Sequence, residues 1–132
     1  IDHRKAFGLN WDPSHMMWQS LDPVAFIMDF ADRIYHVDCK DTRMRLGDGR
    51  KGVMSSHLPW SHMHRGWDFV STGHGDVPWE DCFRALEHIG YTGPISVEWE
   101  DAGMDRLVGA KEAVGFIRSL LWPKPATAFG IG

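Results

Sequence analysis

Three stretches of the chain alternate apolar and polar residues with a strand's period of two, and each is followed by a stretch with the spacing of an amphipathic helix. Over residues 6–12, Phe7, Leu9 and Trp11 share one face, and Gly8, Asn10 and Asp12 share the other, until Pro13 blocks continuation. Over 34–40, His36, Asp38 and Lys40 oppose Tyr35, Val37 and Cys39. Over 94–100, Ser96, Glu98 and Glu100 oppose Ile95, Val97 and Trp99.

The helices are expected at about 22–33, 78–89 and 105–121. Asp22 and Pro23 read as an N-cap and a first helical residue, with Val24, Ile27, Met28 and Ala31 at helical spacing. Cys82, Phe83, Leu86 and Ile89 form the second stripe, which Gly90 ends. Val108, Val114, Ile117 and Leu121 form the third. Residues 42–74 show no convincing periodicity and read as one long loop, and the tail from Trp122 to Gly132, with Pro123 and Pro125, reads as irregular.

Strands alternating with helices describe an α/β fold with parallel strands and right-handed crossovers. Only one face of each strand is apolar, whereas an open doubly wound sheet needs both. The pattern therefore points to units of a (β/α)8 TIM barrel, with helices on the outer face and the polar strand ends at the mouth. A whole barrel takes about 250 residues, and only three βα units are expected in these 132 residues. Three such strands leave two raw edges and a polar inner face. The chain is thus read as part of a longer protein, or as packing against another chain or a second copy.

Composition changes this picture little. The chain is 43% hydrophobic and 24% charged, with a formal net charge of −4, the profile of a soluble domain and a weak argument against nucleic acid. No apolar run reaches the roughly 18 residues of a membrane span, and residues 1–5 lack a signal peptide's hydrophobic region. Cys39 and Cys82 sit among apolar residues and read as reduced core thiols, which suits cytoplasm.

The chemistry lies on the polar faces. In barrel order, Asp12, Asp38 and Glu98 converge near the mouth, and three carboxylates in one volume repel unless a proton or cation sits between them. A divalent ion is the simplest remedy; oxygen-rich ligation suits Mn2+, Mg2+ or Co2+, with Zn2+ as the softer alternative. The competing reading is that Asp12 and Asp38 pair with Lys40 or loop arginines, with Glu98 solvated. In the long loop the basic residues, Arg45 and Arg65 among them, outnumber the acids, so the loop is a candidate lid offering cations to an anionic or hydroxylated substrate. The alternative is a solvated loop whose charges only keep it soluble.

Asn10-Trp-Asp-Pro-Ser-His15, Tyr35-His-Val-Asp-Cys-Lys-Asp41, Gly73-His-Gly-Asp-Val-Pro-Trp79 and Ile95-Ser-Val-Glu-Trp-Glu-Asp101 resemble, in the same order, the last three βα units of the sugar phosphate isomerase/epimerase family, whose fold is the xylose-isomerase-like TIM barrel. The resemblance runs from about Ala6 to Leu121. It implies that Asp12 and Glu98 are metal ligands from the sixth and eighth strands, that Glu98 is also a catalytic acid/base, and that His15 touches substrate hydroxyls. Where the family commonly carries the second histidine of His-x-His, this chain has Asp38 as the implied ligand. His36 matches the first histidine, and Lys40 with Asp41 matches the lysine-aspartate pair; His36 and Lys40 are therefore expected at the substrate. The family's glutamate ligand on the fifth strand has no counterpart here.

The activity so implied is metal-dependent isomerisation or epimerisation of a sugar or sugar phosphate through an enediolate, with this chain inactive alone. An inosose-type dehydratase would share the barrel and the first proton abstraction. A non-catalytic sugar-binding module is the plain alternative. An abasic-site endonuclease would need a richer histidine cluster and a basic face, against the net charge of −4.

Overall fold

The structure is a computed structural model and describes residues 3–55 and 57–123. In chain order it runs β1 (Leu9–Trp11), α1 (Pro13–Met17), α2 (Pro23–Asp29), β2 (Ile34–Asp38), β3 (Asp41–Met44), β4 (Trp67–Val70), α3 (Trp79–His88), β5 (Ile95–Ser96) and α4 (Arg106–Ser119). β1, β2 and β5 form one parallel sheet in that order. Each strand is thus added beside the one before it, as in a sector of a barrel wall. Residues 124–132, most of the tail expected to be irregular, lie outside the described residues.

Local chemistry explains where the helices start. Asp22 accepts hydrogen bonds from the Val24 and Ala25 amides, and Asp105 from those of Leu107 and Val108, so each caps its helix. Asp12 caps α1 in the same way, accepting from the Ser14 amide, and Pro13 takes the first helical position. That short helix stands where Pro13 was expected only to end a strand; the missing N–H that stops a strand is harmless in a first turn.

The core lies between the sheet and α2, α3 and α4. Trp11, Val37 and Cys39 from the sheet meet Ile27, Trp79, Cys82, Phe83, Leu86 and Ile117. Cys39 and Cys82 are both free and buried, and burial pushes both thiols up, Cys82 to about 12. Phe7, Leu9, Tyr35 and Trp99, though on the expected apolar faces, lie outside this core. Phe7 and Tyr35 are 46% and 44% exposed, because they sit at the strands' N-terminal ends, where Tyr35 lies across Gly8 and donates to the Lys5 carbonyl at 2.7 Å.

α4 is also rotated from expectation. It buries Gly109, Ala113 and Ile117 and leaves Val108 and Val114 exposed. The reason is the close approach of Trp99: a Cβ at Gly109 would come within 2.5 Å of its indole, so this helix packs on its small residues.

The largest departure is in residues 42–74. β3 and β4 pair there as an antiparallel hairpin, from Asp41 opposite Val70 to Met44 opposite Trp67. The long connection between them carries polar and basic residues that hide the alternation. Arg65 organises it from the inside: 1% exposed, it lies between the rings of Trp60 and Trp67, donates to the Leu58 and Trp67 carbonyls, and pairs with Asp68 at 3.3 Å. Trp18, just after α1, stacks on Trp67 with centroids 5.1 Å apart and so ties the hairpin to the end of β1.

Candidate active site

The polar residues at the C-terminal ends of the three parallel strands are linked across the sheet. Asn10 on β1 donates from Nδ2 to Asp38 Oδ2 at 3.1 Å, and Ser96 on β5 donates to Asp38 Oδ1 at 2.7 Å. The other end of the Asn10 amide, Oδ1, meets His36 Nδ1; an amide oxygen can only accept, so His36 carries its proton on Nδ1. Burial alone would raise the Asp38 pKa, but the hydrogen bonds from Ser96 and Asn10, with the nearby Glu98 carboxyl and His36, hold it below the ordinary aspartate value.

Lys40, beyond the end of β2, is 4% exposed. Its Nζ lies 2.7 Å from Glu98 Oε1 and 2.7 Å from Glu100 Oε2, and 4.1 Å from the centre of the Phe69 ring on the hairpin. Burial disfavours the ammonium, but its hydrogen bonds to Glu100 and Glu98 outweigh that and raise its pKa above the ordinary lysine value. The hairpin therefore does cover the strand ends, though by its aromatic rings rather than by free cations.

Asp12 is half of a second arrangement. Oδ1 takes the Ser14 amide and hydroxyl, while Oδ2 faces His15 Nε2 at 3.5 Å. Burial raises its pKa despite those contacts, so the carboxylate is short of positive charge. His15 is exposed and sets its ring edge-on to Phe69, centroids 5.3 Å apart.

Asp41 holds the loop that follows β4. Fully buried, it accepts from the amides of Thr42, Gly73, Gly75 and Val77 and from the Trp79 indole at 2.8 Å. A Cβ at Gly75 would come within 2.1 Å of Asp41 Oδ1, so glycine there lets the loop wrap the carboxylate.

Of the residues the sequence nominates, the structure brings Asp38, His36, Glu98 and Lys40 into one network and sets Asp12 and His15 against the same hairpin. Two cations are placed otherwise. Arg65 is enclosed within the hairpin and cannot reach out to a ligand, because its charge is spent on Asp68 and two carbonyls. Arg45 is exposed, on a backbone with φ of 58°, where the chain turns out of β3. Among the described residues, no group of three or more His, Cys, Asp or Glu side chains is gathered closely enough to hold an ion. Asn10 and Ser96 escape nomination because uncharged side chains on a polar strand face look like solvated ones. The available signal was their place on the polar faces of the strands beside β2, Asn10 opposite His36 and Ser96 opposite Asp38.

A sequence model described as the xylose isomerase-like TIM barrel matches residues 1–120. The chain belongs to this family. Within it, the chain is 31% identical over 117 residues to the uncharacterized protein YfiH of Bacillus subtilis, covering 86% of this chain and 37% of that protein. It is 30% identical over 92 residues to an inosose dehydratase of Clostridium beijerinckii, covering 70% of this chain and 30% of the enzyme. A crystal structure of a xylose isomerase domain protein from Planctomyces limnophilus superposes with a TM-score of 0.62 at 25% identity, over 89% of this chain and 39% of that one. The chain thus spans between three and four tenths of the length of these barrel relatives. For a xylose isomerase-like barrel, the C-terminal strand ends are where a site is expected, and the linked network occupies that end. No helix among the described residues is long and apolar enough to cross a membrane.

Proposed function

We propose that this chain forms the last three βα units of a xylose isomerase-like barrel that moves a proton on the carbon beside a carbonyl of a sugar or related polyol, isomerising or epimerising it. The observation that carries this reading is the pairing of Glu98 with buried Lys40 beside Asp38. A carboxylate just past the end of β5, the proposed eighth strand, is thereby held beside a fixed positive charge, where it can take up a proton from substrate.

The donor atoms are the hard oxygens a divalent ion takes, but among the described residues the carboxylates are not gathered into an ion-holding group, so the ion would bind only once further barrel units complete the site. Among the described residues the ionic partner of Asp12 Oδ2 is His15 Nε2 at 3.5 Å, and burial raises the pKa of that carboxylate. Asp12, Asp38 and Glu98 are the residues that would hold Mn2+, Mg2+ or Co2+, with Zn2+ the softer choice. Bound there, the ion would supply a Lewis acid for the charge that develops on substrate oxygen. Asn10 and Ser96 fix the orientation of Asp38, and His15 and His36 present ring nitrogens to hydroxyls. Phe69 and the hairpin exclude water from Lys40. A further acidic group for the opposite proton transfer belongs to barrel units outside these residues.

Dehydration is the second reading. It shares the first proton abstraction and differs in expelling a hydroxyl, and the likeness to an inosose dehydratase favours it. The test is exchange of solvent deuterium into a ketose or a cyclic polyol ketone by the chain joined to its remaining barrel units, with Glu98→Gln as control. Exchange lost in the variant with substrate binding retained supports the proton-transfer role of Glu98; exchange unaffected by the variant rejects it. Product analysis then separates a rearranged sugar from a dehydrated one.

A further inference from the structure

The hairpin and the chain after β5 enclose a cleft of ≈190 Å3, walled by Trp60, Phe69 and Trp99 and edged by Asp68, Glu100 and Asp101. That volume equals roughly six waters of liquid, room for one six-membered polyol ring. Trp60 is 47% exposed on the cleft side of the hairpin, with the Arg65 guanidinium 4.2 Å from its ring. Trp99 is fixed by its indole hydrogen bond to Ser71 Oγ at 2.8 Å. The cleft is continuous with the candidate active site, since Phe69 lies under Lys40 and Glu100 shares that ammonium with Glu98.

Charge decides what such a cleft accepts. Among the described residues, none of the side chains lining it is basic. Two cations that touch its lining residues are engaged: Lys40 by Glu98 and Glu100, Arg65 by Asp68. Asp101 accepts from the Ser71 and Gly103 amides, which orients it as a fixed acceptor. Aromatic faces suit the C–H face of a hydroxylated ring, and carboxylates accept hydrogen bonds from its hydroxyls. A phosphate ester would instead meet three carboxylates and no free cation.

We infer that this cleft is the ring-binding subsite for an unphosphorylated polyol, stacked on Trp60 with hydroxyls on Glu100 and Asp101, and that it discriminates against phosphate esters. The inference rests on the reading of the strand ends as a sugar- or polyol-converting site and assigns its substrate class.

The test is saturation-transfer NMR on the 132-residue chain with myo-inositol and D-glucose as neutral rings, against myo-inositol 1-phosphate and glucose 6-phosphate. The neutral rings receive saturation, and each monophosphate binds at least tenfold more weakly than its parent ring. Trp60→Leu abolishes binding of the neutral rings. Glu100→Gln combined with Asp101→Asn, which leaves the aromatic walls in place, narrows the discrimination. Monophosphates that bind as tightly as the neutral rings overturn the inference, as does neutral binding that survives Trp60→Leu or is absent from the unaltered chain. Deuterium exchange separates this failure from that of the proposed reaction. Ring binding without exchange by the assembled barrel rejects the chemistry and leaves the subsite standing, whereas exchange confined to phosphorylated ketoses rejects the subsite and leaves the chemistry.

Discussion

Lys40 Nζ sits 2.7 Å from Glu98 Oε1, although 58 residues separate the two in the chain. Parallel pairing of β2 with β5 is what brings them together. The contact joins an almost fully buried ammonium to a carboxylate side chain that is 48% exposed, so one partner is anchored and the other is presented. In Lys40→Met, the buried positive charge is gone and Glu98, Glu100 and the Asp38 carboxylate repel one another. Deuterium exchange by the assembled barrel is expected to fall at least tenfold. Exchange at the unaltered rate would mean that Lys40 neither holds nor polarises Glu98.

The same pair sets an alkaline limit. The Lys40 pKa is raised above its ordinary value of 10.5, so the folded state holds the proton more tightly than the unfolded chain does. Its contribution to stability is complete below pH 10.5 and is lost as pH rises through the higher folded value. Thermal unfolding followed by circular dichroism should show Tm falling in that alkaline range, and Lys40→Met should flatten that part of the profile. An identical alkaline fall in both proteins would assign it to other groups.

Asn10 is expected to act through Asp38. Asn10→Ala removes one donor to Asp38 Oδ2 and the acceptor of His36 Nδ1, while the backbone pairing of β1 with β2 is untouched. Outer partners of metal ligands typically contribute about 10- to 100-fold in affinity. Titration of the assembled barrel with Mn2+ by calorimetry should show a loss of that order in Asn10→Ala. Unchanged Mn2+ affinity would detach Asn10 from any ligand role of Asp38.

Asp41 should prove structural. Asp41→Ala leaves four backbone N–H groups and the Trp79 indole without their acceptor in a buried setting. A cost on the order of 3 kcal/mol or more is expected. Denaturant unfolding measures it, and hydrogen exchange should show lost protection at Gly73, Gly75 and Val77. A variant as stable as the parent, with those amides still protected, would show that the loop holds itself.

The purified 132-residue chain is expected to exchange no solvent deuterium into any ketose, because the proposed reaction assigns its second acidic group to barrel units outside these residues. Mixing or co-expression with the remaining βα units should restore exchange. Turnover by the chain alone would show that Glu98 and its neighbours supply every proton transfer the reaction needs.

Much of the architecture was legible because short-range chemistry dictates it. The period-two faces around Trp11 and Val37, and the cap at Asp22, depend on neighbours a few residues away. The strand ends were legible as a polar surface for the same reason. The hairpin was not: Arg43 and Asp68 face one another in β3 and β4, yet 24 residues lie between them in the chain, and the anchor is a buried arginine that reads in sequence as a solvated cation.

By itself, the sequence determined the apolar faces around Trp11 and Val37 and the starts of α2, α3 and α4, since each follows from local spacing and backbone sterics. Tertiary structure alone decided what those charged groups do. Whether Lys40 and Arg65 reach a ligand or are neutralised, and whether Asp38 is held by Asn10 and Ser96, depends on which strand lies beside which. Electrostatic energy falls with distance through space, and neighbours remote in the chain set it. So too with Glu98, expected within a strand over 94–100 but lying past the end of β5, whose partner only the folded sheet brought into contact.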